Sequence, residues 1–343
     1  MSKENKNMEF INYLFAFTDD VGIFQHSKYG IPDRNHGYTT DDNARALILA
    51  VMLYEKFNEK KYLKLIYTYL SFVHYALNEK GMFKNFMSYQ REFLETQGSE
   101  DCFGRCIWAL SRTVSSAAVP QNIKNTCTFI LKEASKNIEA ITYTRAKAYT
   151  IVGLSLLEDS EETFTHIKNL AMSLVEQYRL NRSENWHWFE DSITYGNAFF
   201  PRALICAYKS LGKKCYLETA KESMEFLEGI VMKPDFFKPI GCNGWLIKGK
   251  EVAAYDEQPI EACEMLYLYM EYYKVTKNKK CLHNALKCFK WYKGENSKQL
   301  SLINEETGAC YDGITENGLN LNQGSESIVS YGMAVMMAAT IKL

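Results

Sequence analysis

The sequence predicts an all-α protein, a single (α/α)6 toroid domain spanning residues 1–343, and three observations carry that reading. Apolar residues recur at helical rather than alternating spacing along almost the whole chain. Only 6 prolines interrupt the pattern. Helices of two kinds also take turns, one amphipathic and lysine-rich, the next apolar around most of its surface and preceded by a polar, aromatic loop. A helix apolar all round has to be enclosed, whereas one with a charged face can lie outside. Six enclosed and six outer helices in alternation describe a closed ring of hairpins. An open solenoid would show repeats that resemble one another in sequence, and these do not.

An outer helix is expected near residues 6–17. The first enclosed helix opens in "TTDDNARALILAVMLY", where Thr39 or Thr40 can cap it and Asp41 and Asp42 occupy the first turn, favoured by the positive end of the helix dipole. Later enclosed helices begin near "EDCFGRCIWALSRTV", "RAKAYTIVGLSLL", "YGNAFFPRALICAY", "EQPIEACEMLYLYM" and "SESIVSYGMAVMMAA". Between them lie amphipathic segments around 61–77, 120–136, 163–180, 213–230 and 278–293. In "YDEQPIEA", Asp256 can cap the helix that Pro259 helps to start, which would put Glu257 in its first turn. In a closed ring the enclosed helices run parallel, so their starts share one end.

Composition narrows the partners. A chain 47% hydrophobic and 14% aromatic can bury a large core. Its 40 basic and 41 acidic residues give a net charge of -1, which leaves no electrostatic footprint for nucleic acid or for a membrane surface. A small neutral partner fits better. The ten cysteines are scattered without a C-x-x-C pair or a Cys/His cluster at zinc spacing, so they read as reduced packing residues, and neither metal nor cofactor is expected. The N-terminal "MSKENKNMEFINYLFAF" has only a short apolar stretch after a mixed-charge start, and no later segment is long enough to span a bilayer, which predicts a cytoplasmic protein.

Acid gathers at the enclosed-helix starts: Asp41 and Asp42, Glu100 and Asp101, Glu190 and Asp191, Asp256 and Glu257, and Glu326. Flat rings accompany it. Carboxylate pairs flanked by rings suit a sugar, because glycoside hydrolysis needs an acid for the leaving oxygen and a base or nucleophile opposite it. Asp42, Glu190, Asp191 and Asp256 are the catalytic candidates. Glu190 or Asp191 is expected as the acid, desolvated by the run Trp186, His187, Trp188, Phe189. His36, Tyr38, Asp41, Trp186, His187, Trp188, Tyr195, Glu257 and Glu326 are the substrate-binding candidates. Glu100 and Asp101 are read as ion-pair partners of Arg105, and Arg45 and Arg202 as holders of carboxylates, since arginine on an enclosed helix needs an acid to answer it.

At these residues a family resemblance appears. "PDRNHGYTTDDNARALI", "WHWFEDSITYGNA", "YDEQPIEA" and "NQGSES" follow in that order across roughly residues 18–340. Together they resemble a bacterial family of six-hairpin glycosidase-like proteins often encoded beside or fused to glycosyltransferases. The resemblance implies the (α/α)6 fold, carbohydrate chemistry and a glycosyltransferase as a candidate partner, but no catalytic assignment. Gly196 stands where relatives carry an acid, and Glu257 where they carry glutamine. The leading expectation is a glycoside hydrolase acting on a short oligosaccharide, with mannose among the candidate sugars. The alternatives are a sugar epimerase using His36 and His187, and a non-catalytic glycan-binding partner of a glycosyltransferase.

Overall fold

In the computed structural model, residues 8–342 are described, and among them the chain forms twelve α-helices joined by loops with four two-stranded ladders. Enclosed and outer helices alternate as the sequence requires. The enclosed set is α2 (Thr40–Phe57), α4 (Glu100–Val114), α6 (Thr144–Leu154), α8 (Phe199–Leu211), α10 (Pro259–Thr276) and α12 (Ser325–Ala338). The outer set is α1 (Phe10–Ala16), α3 (Lys60–Ala76), α5 (Gln121–Ser135), α7 (Glu161–Asn181), α9 (Lys214–Val231) and α11 (Lys280–Trp291). Burial separates the two kinds: 14 of the 18 residues of α10 are buried, but only 4 of the 15 in α5. The helix expected over 6–17 is seen from Phe10, and its first two positions lie outside the described residues.

The described residues fall into two compact units, 14–170 and 171–342, the latter taking in 8–13. In the first unit α2, α4 and α6 pack side by side, with α3 against α2 and α5 against α4. In the second, α10 lies between α8 and α12, with α9 against α8 and α11 against α10.

Short ladders fix the loops that lead into the enclosed helices. β3 (Tyr38–Thr39) pairs with β4 (Phe86–Met87) immediately before α2, and β5 (Ser192–Ile193) pairs with β6 (Leu246–Ile247) before α8. A hairpin of β1 (Ser27–Lys28) and β2 (Ile31–Pro32) precedes β3, and one of β7 (Gly313–Thr315) and β8 (Gly318–Asn320) precedes α12.

Thr39 caps α2, its Oγ1 accepting the Asp42 amide at 3.1 Å and donating to Asp42 Oδ2 at 2.6 Å. The hydroxyl thus satisfies one of the free amides of the first turn and ties down the carboxylate three residues on. At α10 the expected cap is corrected. Gln258 occupies the cap position, Pro259 begins the helix, and the first-turn acid is Glu261. Asp256 and Glu257 belong to the preceding loop, because proline at the first helical position forces its predecessors into extended or turn backbone.

Candidate active site

Several of the acids at the helix starts hold the fold together, and their partners show how. In the first unit Arg105 of α4 reaches Asp41 with Nη1 2.9 and 3.0 Å from its two oxygens, and Arg45 bridges Asp41 and Asp42 at 3.0 Å each. The Arg105 guanidinium also stacks 4.5 Å from the Tyr149 ring of α6 and donates to its hydroxyl. Burial alone would raise the Asp41 carboxyl, but Arg105 and then Arg45 pull it below the ordinary carboxylate value. Arg45 thus does hold carboxylates in place. Arg105 answers Asp41, a partner that the sequence reading did not give it. Glu100 accepts the backbone amides of Thr142 and Tyr143 at the start of α6.

Asp42 is buried against Thr39 and Arg45, and Tyr38 is 1% exposed with its hydroxyl on Asp19 at 2.6 Å. Neither offers a surface to a ligand. His36 is open, edge-on to His26 at 4.8 Å and 3.7 Å from Asp33.

In the second unit the tryptophan run does not desolvate an acid. Trp188 and Phe189 are fully buried against Phe200, and Trp186 and His187 pack edge-on against Phe226 of α9. Their apolar area goes into the core because hydrophobic burial favours that over a wet loop. Asp191, with 76% of its side chain open, pairs at 3.6 Å with Lys248. Glu190 is half-buried, and its carbonyl accepts the Trp186 indole N–H. Glu257 is wholly buried, accepting Trp291 Nε1 at 2.8 Å and the Ser297 hydroxyl. It is a structural tie rather than a substrate contact.

Two tying residues escaped the sequence reading. Glu261 accepts the Gly196 amide at 2.6 Å and Asn197 Nδ2 at 2.9 Å, fastening the loop before α8 to the first turn of α10. Asp312 accepts the Gly324 amide, Asn322 Nδ2 and Ser327 Oγ, fastening the start of α12. The acid in "PIEA" was a legible signal for the first. Arg202 lies 4.8 Å from the rings of both Phe199 and Tyr267, and its charge helps to lower the Glu271 carboxyl.

Against this background one group differs. Burial raises the half-buried Cys242 thiol, and the negative fields of Asp256, Glu326 and Glu261 push it the same way. Asp256 sits at φ 55, in left-handed backbone, and among the described residues no hydrogen bond reaches its carboxylate. The Cys242 amide bonds the Asp256 carbonyl at 3.0 Å, and the chain runs so close there that a Cβ on Gly241 would stand 1.9 Å from the Tyr255 carbonyl oxygen. Only glycine allows that approach. The β5–β6 ladder brings Tyr195 to 6.3 Å from Trp245, itself left-handed at φ 59, which puts two half-exposed rings on the same loops. A group of three or more metal-ligating side chains is absent among the described residues.

The helix order and the likeness to solved structures define the class of fold, the (α/α)6 toroid. The chain is similar to a sugar epimerase from a ruminal bacterium, at 12% identity over all of both chains and a TM-score of 0.76. It is similar to cellobiose 2-epimerase from Bacillus thermoamylovorans, at 11% identity over 97% of this chain and 98% of that one, TM-score 0.74. It is also similar to a GH76 α-1,6-mannanase from Salegentibacter sp., at 14% identity over 99% of each chain, TM-score 0.67. At such identities the likeness is one of fold. No protein-family profile matches the chain, and no curated protein sequence does. Among the described residues, no helix is long and apolar enough to cross a membrane.

Proposed function

We propose that the protein is a glycoside hydrolase for a short oligosaccharide, with mannose among the candidate sugars, and that Asp256 and Glu326 are its working carboxylates. The observation that carries this reading is the Asp256 carboxylate itself: half-buried, without a hydrogen bond among the described residues, on strained backbone, and in the same loop as the half-exposed Trp245 ring, with Glu326 acting on the same Cys242 thiol. A carboxylate that helps to hold the fold accepts hydrogen bonds, as Glu257, Glu261 and Asp312 do. Backbone strain at a polar, accessible position is a feature of reacting sites. In this scheme one carboxyl group gives its proton to the leaving glycosidic oxygen. The other either takes a proton from the attacking water or attacks the anomeric carbon itself. The rings pack on the apolar sugar face.

The similar structures include α-mannanases and sugar epimerases, so the fold admits both chemistries. The placement of histidine favours hydrolysis. In the second unit His187 turns to Phe226 and His283 lies exposed on α11, bonded to the Lys279 carbonyl, so neither joins the group about Cys242. Incubation with mannose- and glucose-containing oligosaccharides should release reducing sugar. Asp256→Asn or Glu326→Gln should lower turnover by about 10²- to 10⁴-fold. Interconversion of a free monosaccharide without bond cleavage would overturn the hydrolase reading in favour of an epimerase.

A further inference from the structure

In the first unit, an exposed cation is held over a stack of rings of which the outermost reaches the surface. Phe24 and Tyr38 stack at 5.0 Å with planes 25° apart, and Tyr89 lies at 6.2 Å and 29° from Phe24 and at 6.5 Å and 22° from Tyr38. Phe24 and Tyr38 are buried, but Tyr89 is 42% exposed. The Arg34 guanidinium lies 5.7 Å from the Phe24 ring and 5.5 Å from that of Tyr89, and its Nε donates to the Tyr89 hydroxyl at 3.1 Å. Among the described residues no carboxylate pairs with it, so its two terminal nitrogens keep their N–H groups for something else. Side-chain entropy opposes fixing a long surface arginine, and the stack offsets that.

The scaffold beneath is rigid. Tyr38 lies in β3, Tyr89 follows β4 by two residues, and the Asp19 carboxylate anchors the Tyr38 hydroxyl. Gly37 at φ +64 lets the ladder close, since a Cβ there would lie 2.1 Å from the Met87 carbonyl oxygen. Asp19, Asp20 and Asp33 offset Lys28, Arg34 and Arg91 nearby in the loops, and Arg91 is itself paired with Asp20. The local field is therefore near neutral, which disfavours a strongly anionic ligand. A half-exposed ring edged by fixed N–H donors matches a sugar, with its apolar face on the ring and its hydroxyls on the donors.

We propose that Arg34 and Tyr89 form a sugar-binding site of their own, one that takes a neutral hexose. It rests on the glycoside reading above. Titration calorimetry of the full chain with neutral mono-, di- and trisaccharides of mannose and glucose tests it. The chain should bind them, and Arg34→Ala or Tyr89→Ala should weaken that binding by at least about threefold, within the range measured for aromatic stacking. Tyr89→Phe, which keeps the ring and loses the hydroxyl, should fall between. Circular dichroism confirms that each variant is folded. Unchanged binding in both alanine variants overturns the site and leaves the glycoside reading standing. Binding confined to phosphorylated or uronic sugars overturns it in favour of an anion site. If the wild-type chain binds no glycan, the glycoside reading fails and the site with it.

Discussion

Replacing Glu257 separates a structural carboxylate from a working one. Its side chain is wholly enclosed, accepts the indole N–H of the equally buried Trp291 at 2.8 Å, and accepts the Ser297 hydroxyl. Glu257→Ala leaves that indole donor buried without an acceptor, at about 1–3 kcal/mol. It also removes buried methylene area, at about 0.8 kcal/mol per group. The expected loss is therefore about 2–4 kcal/mol. Glu257→Gln keeps the volume, its amide oxygen can accept from Trp291, and its nitrogen can donate to Ser297, so it should stay within about 1 kcal/mol of wild type.

The pH dependence has a definite sign. Burial raises the Glu257 carboxyl above its ordinary value of 4.5, outweighing the opposing hydrogen bonds from Ser297 and Trp291 and the charges of Lys238 and Lys298. The folded state then binds the proton more tightly than the unfolded chain does. Its stabilising contribution is present below 4.5 and is lost as pH rises through the folded value. Glutamine does not titrate, so the stability difference should shift toward Glu257→Gln as pH rises across that window. Urea unfolding followed by tryptophan fluorescence at several pH values measures all three chains. A glutamine variant as unstable as the alanine variant, or a difference that is flat with pH, would refute the reasoning. Turnover on the oligosaccharide should survive Glu257→Gln, in contrast to Asp256→Asn.

Arg105→Ala should destabilise by about 3–5 kcal/mol, because it strands the Asp41 charge among buried groups; a loss under about 1 kcal/mol in chemical denaturation would show that Arg45 suffices alone. Gly241→Ala should cost about 1–3 kcal/mol through overpacking against the Tyr255 carbonyl and should lower turnover as Asp256 shifts, which calorimetry and kinetics on one preparation can compare. For Glu271, burial alone would raise the carboxyl, but Lys274, Lys209 and Arg202 lower it from 4.5 to about 2. That contribution of about 3 kcal/mol is present above pH 4.5 and lost as pH falls toward 2. Glu271→Gln should flatten acid unfolding over that range, and an unchanged acid limb would count against the Lys209 and Arg202 assignment.

The helices were legible because a 3.6-residue period repeated over a whole helix survives any single odd residue, and because enclosure shows as apolarity on every face. The Thr39 cap was legible for a similar reason, since its partner lies three residues away. The roles of the acids were not. Whether Asp41 reacts or anchors depends on Arg105, 64 residues along the chain, and Glu257 depends on Trp291, 34 residues along. Nothing local in "TTDDNAR" or "YDEQPIEA" encodes those distances. The loop "NWHWFED" misled in the opposite direction: three rings beside two acids suggest a desolvated carboxyl, yet the rings turn into the core and Asp191 stays in water.

The surplus of acid at the helix starts has a physical source apart from catalysis. Each enclosed helix begins with backbone amides that have no partner within the helix, and the loop before it adds more. A buried amide left without an acceptor costs free energy comparable to a lost hydrogen bond. Carboxylates from neighbouring elements meet that need: Glu100 takes Thr142 and Tyr143, Glu261 takes Gly196, and Asp312 takes Gly324. Counting acids at such helix mouths therefore overstates the catalytic set. The discriminating question is whether a carboxylate has amides to accept. Asp256 has none among the described residues and sits on backbone that a non-glycine residue adopts at a cost. That contrast supports the proposal of Asp256 as a working carboxylate.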